Sequence, residues 1–194
     1  KNIARNSVDA SIVASLANAV GFTGYGAFRY FEVAEEGCNE YRESDGLKGL
    51  YYTSPKLPTT HLTYGSMALT TADRNVTVKP TWLHGRWWDG IHDFWDDFCQ
   101  DGRLEFESKS ESIESRIGPS HRYKIGSLGI YHILQPGEEK VFEFALSWYF
   151  PNRNKDWNED ACGCGCCCAP ELVKNYYATR FRDAWDVARY LFGN

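Results

Sequence analysis

Polar and apolar residues alternate with period two along much of this chain. In residues 8–16, Val8, Ala10, Ile12, Ala14 and Leu16 share one face, with Asp9, Ser11 and Ser15 opposite. Val76, Val78 and Trp82 fall together in residues 74–82, as do Leu128, Ile130 and Leu134 in 127–134. The longest such stripe is Phe142, Phe144, Leu146, Trp148 and Phe150, which follows a Pro136-Gly137 turn signal. Successive side chains on a strand point to opposite faces, so each stretch predicts a half-buried strand. Residues 49–54 and 64–72 are shorter candidates. Strands with one apolar face bury it by pairing sheets, which predicts a mainly β fold, a two-sheet antiparallel β-sandwich. The stripe over 142–150 is expected to be its core.

Two segments break that rhythm. In "WWDGIHDFWDDF", residues 87–98, Trp88, Ile91, Trp95 and Phe98 recur at helical spacing, with Asp89, Asp93, Asp96 and Asp97 largely off that face. This predicts a short amphipathic helix whose aromatic face is buried against the sandwich or a further domain, with its aspartates solvated. Asp101-Gly102 supplies a stop. Near the end, Val173, Tyr177, Phe181, Ala184, Ala188 and Leu191 also repeat at helical spacing, behind Pro170 and Glu171. A long helix over roughly 171–192 is expected. The change of period divides the chain into a sandwich over 1–165 and a connecting loop and helix over 166–194.

Composition narrows the partners. The net charge of −5 and pI near 5.6 exclude a nucleic-acid binder, which needs a basic face. No apolar run reaches the ~20 residues of a membrane-spanning helix. The chain starts at Lys1 without an initiator methionine and reads as a segment of a longer polypeptide. Five of the seven cysteines, Cys162, Cys164, Cys166, Cys167 and Cys168, crowd into one Gly-punctuated run. Their spacing makes no zinc finger and no histidine lies nearby, so the run is read as a connecting loop and no cofactor is expected; a thiolate metal site is the weaker alternative. His61, His84, His92, His121 and His132 share no ligand spacing.

Residues 87–98 also carry the chemistry of a sugar site, because rings stack on pyranose faces and paired carboxyls cleave glycosidic bonds. On a helix, Asp89 and Asp93 stand one turn apart, about 6 Å. Both lie on one face, however, whereas a glycosidase pair flanks the scissile bond from opposite sides. A strut is therefore favoured over a catalytic site, with no catalytic residue assigned. The intermediate reading places Trp87, Trp88, Asp89 and Asp93 on the rim of a neighbouring domain's pocket.

The blocks "YGSMALTTAD", "WWDGIHDFWDDFCQDGRL", "FEFALSWYFPNR" and "VKNYYATRFRDAWDVARYL" occur in the order and spacing of a known family. From about Val8 to Phe192 the chain resembles glycoside hydrolase family 116, the family of the non-lysosomal glucosylceramidase or bile-acid β-glucosidase. The resemblance implies an N-terminal β-sandwich followed by an (α/α)6-barrel in the same polypeptide. It also implies retaining hydrolysis of a β-glucoside or glucosylceramide, with both catalytic carboxylates in the barrel, and a cytoplasmic or peripheral-membrane setting. The implied role for this chain is to brace the barrel and shape the pocket entrance. The rival reading is a stand-alone carbohydrate-binding module.

Overall fold

The first strand of the chain pairs with one laid down more than a hundred residues later. β1 (Val8–Ala17) runs antiparallel to β8 (Ile125–Leu134), with Val8 opposite Leu134 and Ala17 opposite Ile125. The computed structural model describes residues 1–25, 31–83, 89–106, 123–155 and 171–193. Between these two strands come β2 (Phe22–Tyr25), β3 (Phe31–Val33), β4 (Cys38–Ser44), β5 (Leu47–Thr53), β6 (Ser66–Thr71), β7 (Val76–Lys79) and helix α1 (Asp89–Asp101). After β8 follow β9 (Ala145–Tyr149), β10 (Asn152–Asn154), β11 (Leu172–Lys174) and helix α2 (Ala184–Gly193).

Two antiparallel sheets form the body, one ordered β1-β8-β7 and the other β4-β5-β6-β9. Their facing sides supply the core, in which Leu50, Tyr52, Met67 and Leu69 of the wider sheet meet Val78 and Leu128 of the narrower one. Val20 and Leu57 fill in from loops. The expected two-sheet sandwich is therefore present. β2–β3 and β10–β11 form separate two-stranded pairs.

β4 and β5 join through Asp45 and Gly46, both at positive φ (55° and 79°), so that Ser44 pairs directly with Leu47. This is the two-residue turn whose twist matches that of its strands.

The wider sheet is buried on its outer side as well, because α2 lies on it. Ala184, Trp185 and Ala188 pack on Leu47 and Ala68. Ser66 accepts the Ala184 N–H (2.9 Å), and the Trp185 indole donates to Ser44 (2.8 Å). Asp183 caps the helix by accepting the Asp186 N–H at 2.8 Å.

Three sequence expectations change here. The C-terminal helix exists, but it begins at Ala184 rather than near 171. Leu172–Lys174 is spent on pairing with β10, and Tyr176–Thr179 makes a single 3-10 turn. That turn is tied down by Tyr177, whose hydroxyl accepts the Phe150 N–H (2.8 Å) and donates to the Phe150 carbonyl (2.6 Å). The stripe over 142–150 also differs. Phe144 and Phe150 pack on the core, but Leu146 and Trp148 are exposed, Trp148 to 56%. They do point inward, opposite Leu69 and Met67, but β9 is an edge strand and the facing sheet is one strand narrower. The boundary expected near residue 165 lies outside the described residues.

Candidate functional site: helix α1 and its supports

The third difference concerns α1, and it reverses which side of that helix is packed. The residues that turn inward are Asp93, Phe94, Asp97 and Phe98; Ile91, His92, Trp95, Asp96, Cys99 and Gln100 turn outward. Ile91 is 51% exposed and Trp95 58%. Of the apolar face expected against the sandwich or a further domain, Phe98 turns in on the sandwich, whereas Ile91 and Trp95 are not covered by it.

Two supports explain this facing. The first is aromatic. Trp82, just beyond β7, holds its indole N–H on the Ser127 hydroxyl at 2.7 Å, and Ser127 in turn bonds Ser15 at 2.7 Å. So anchored on the outer face of the narrow sheet, the Trp82 ring takes Phe94 in a stacked contact (centroids 4.7 Å apart, 14° between planes). Phe98 stacks on Phe94 in turn, at 6.0 Å.

The second support is ionic. Lys79 closes β7 with an ammonium group that lies 3.3 Å from Asp93 and 3.2 Å from Asp97. The lysine side chain is only 8% exposed and that of Asp97 only 10%. Asp93 also accepts the Leu83 N–H at 3.0 Å, and Asp97 accepts the Glu105 N–H at 3.1 Å. One cation thus faces two carboxylates, and the surplus negative charge is met by backbone donors from both flanks of the helix. Carboxylates one turn apart on a helix project to the same side, which is why one lysine reaches both.

The helix ends where expected. Gly102, at φ 74°, donates its N–H to the Phe98 carbonyl at 2.9 Å. Arg103 then fastens the exit to β1, donating to Ser11 (2.7 Å) and pairing with Asp9 (2.6 Å), its guanidinium 3.9 Å above the Tyr131 ring.

Of the residues singled out from the sequence, Asp93 belongs to the ionic support and Asp89 stands exposed in the first turn of α1. The solvated aspartate face expected here is overturned for Asp93 and Asp97, whose oxygens are committed to Lys79 and to backbone N–H groups. They converge on one cation from one side, which is the geometry of a brace rather than of a pair flanking a glycosidic bond. Trp87 and Trp88 lie outside the described residues, as do His84 and His121, and so do Cys162, Cys164, Cys166, Cys167 and Cys168. Among the described residues no group of three or more His, Cys, Asp or Glu is placed to hold a metal. His132 is half-buried beside Glu138 at 3.0 Å, and His61 accepts from Thr63 through Nδ1.

Sequence reasoning missed Lys79 and Arg103, and it put Trp82 on one face with Val76 and Val78, whereas the chain leaves β7 before Trp82 and its indole lies over the outer face on Ser127. Lys79 carried a readable signal: it sits one step out of phase with Val76 and Val78, on the outer face where a covering helix had to lie.

No helix among the described residues is long and apolar enough to cross a membrane. Comparison with curated proteins returned no match. The family model described as "beta-glucosidase 2, glycosyl-hydrolase family 116 N-term" matches residues 1–194, the whole chain.

Proposed function

Because the chain belongs to glycoside hydrolase family 116, as its N-terminal domain, we propose that it braces the catalytic domain of a β-glucosidase and shapes the entrance to its pocket. Membership implies a catalytic domain in the same polypeptide. The reaction assigned to the whole enzyme is retaining hydrolysis of a β-glucoside, glucosylceramide among the substrates, by carboxylates of an (α/α)6-barrel. In this reading Trp87, Trp88 and Asp89 contribute to the pocket rim, and Asp93 acts behind them through its bond to the Leu83 N–H.

The observation that supports the reading is the outward face of α1. Ile91 and Trp95 stand one turn apart and more than half exposed, on a helix whose other side is fixed by stacking and by a buried ion cluster. Large apolar side chains left out on a rigid element mark an interaction surface. The test is the full-length enzyme carrying Trp95→Glu with Ile91→Glu, assayed on an aryl β-glucoside. A fall in kcat/KM of at least tenfold is expected. Unchanged turnover and unchanged melting would remove α1 from the interface.

A carbohydrate-binding module has one observation in its favour, the exposed Trp148. Its register partner is Met67 and its strand neighbour on the same face is Leu146, and neither supplies a polar group to orient a sugar. Quenching of tryptophan emission by cello-oligosaccharides, lost in Trp148→Ala, would restore that reading.

A further inference from the structure

We propose that Lys79, Asp93 and Asp97 are positioning residues that set the rotation of α1 about its own axis, and so decide which face the enzyme's catalytic domain meets. The inference rests on the reading above that Ile91 and Trp95 dock on that domain.

The argument begins with cost. Desolvating the Lys79 ammonium and the Asp97 carboxylate, with Asp93 more open beside them at 30% exposure, is expensive, and their mutual attraction repays it only with good geometry and further hydrogen bonds. An apolar contact in the same place would hold the helix at least as well, so stability alone gives no reason for the charges. What ionic groups add is direction. The stacking of Phe94 on Trp82 is an apolar contact without polar partners to match, and a helix turned by one residue would offer Trp95 in place of Phe94. The ion cluster allows no such exchange, because Asp93 must reach both Lys79 and the Leu83 N–H, while Asp97 must reach both Lys79 and the Glu105 N–H. Turning α1 by one residue, about 100°, breaks all four contacts and leaves a buried ammonium unpaired.

The consequence lies on the opposite side of the helix. With Asp93 and Asp97 pinned inward, Ile91, Trp95 and Cys99 form an outward row at i, i+4 and i+8, and all three are exposed. Cys99, a free thiol, is therefore a native probe of whether that row is covered.

The experiment uses the full-length polypeptide and N-ethylmaleimide, with alkylation of Cys99 followed by peptide mass mapping and rates expressed relative to the same protein in denaturant. Cys99 of the parent should react at least tenfold more slowly than when unfolded. Neutralising the whole cluster (Lys79→Met, Asp93→Asn, Asp97→Asn) leaves no unpaired charge. It should keep the melting temperature within a few degrees, yet raise Cys99 reactivity at least fivefold. KM for an aryl β-glucoside should rise at least threefold while kcat stays within twofold, and Lys79→Arg should retain parental values. If the triple variant does not fold, Asp93→Asn alone is read in the same way. A variant that loses stability but keeps parental Cys99 protection and KM would show the cluster to be merely structural and overturn the proposal. Full Cys99 reactivity in the parent would instead sink the docking reading beneath it.

Discussion

Ser147 donates its hydroxyl to the carbonyl of Ala184 at 2.7 Å, joining the edge strand β9 to the first residue of α2. Ser66, on the adjacent strand, accepts the N–H of the same residue, so both backbone groups of Ala184 are held by sheet hydroxyls. Ser147, Ser66 and Ala184 are all buried, and water does not replace a lost partner there. Ser147→Ala should therefore lower the unfolding free energy by about 1–3 kcal/mol, the cost of an orphaned buried acceptor. Urea denaturation of the two proteins measures it, and coincident midpoints would show that the Ser147 hydrogen bond adds nothing to the docking of α2.

Tyr52 presents the opposite case. Its ring is fully buried in the core, and its hydroxyl finds no hydrogen-bond partner among the described residues. Burial pushes its ionisation well above the ordinary tyrosine range. Removing an unsatisfied hydroxyl while keeping the ring abolishes a desolvation cost and opens only a small void, so Tyr52→Phe should match or exceed the parent's melting temperature. A drop of more than ~1 kcal/mol would mean that the hydroxyl is hydrogen-bonded in solution.

Acid sensitivity follows from Glu36. The hydrogen bond from Lys124, at 2.8 Å, holds its carboxyl below the usual carboxylate value, against a smaller opposing effect of burial. A carboxyl depressed in the folded state contributes stability above its unfolded pKa and loses it as pH falls through the folded value. Lys124→Met should lower stability modestly at neutral pH and flatten that part of the acid limb below about pH 4.5, so that the two proteins converge in acid. The effect should stay under ~1 kcal/mol, because the pair is partly exposed and screened. Thermal melts from pH 2 to 7 read it directly; an unaltered acid limb would rule Glu36 out as a contributor.

Residues 1–194 on their own should hydrolyse no β-glucoside. The two helix carboxylates nearest to a catalytic arrangement, Asp93 and Asp97, share one lysine instead of facing each other across a gap. Turnover by the purified chain within a few hundredfold of the full enzyme, abolished by a single Asp or Glu substitution, would contradict this.

The sandwich was legible because its two longest strands, β1 and β8, carry the alternation that a half-buried sheet imposes. β4 was not read, since Asn39, Glu40, Arg42 and Glu43 make it look like a loop. The Asp45-Gly46 pair was the signal that marked its hairpin. The facing of α1 was misread because aspartates were counted as water-seeking, and no local pattern tells that Lys79 waits on another element. The outer face of the wide sheet was hidden for a related reason. Ser66, Ala68 and Ser147 are small and weakly apolar, yet these are the side chains that let α2 come close. The terminal helix was drawn too long because strand pairing and the Tyr177 hydroxyl, both tertiary, capture residues that have helical spacing.

The pairing of β1 with β8 fixes an order of events during synthesis. β4, β5 and β6 are neighbours in sequence as well as in space, so most of the wide sheet assembles as soon as it leaves the ribosome. β1 is made first, but its only paired strand among the described residues begins at Ile125, more than a hundred residues on. At ~5–20 residues per second, β1 waits on the order of 5–20 s with Val8 and Ile12 uncovered and both backbone edges open. The nascent chain therefore carries an unprotected, partly apolar strand until β8 is made.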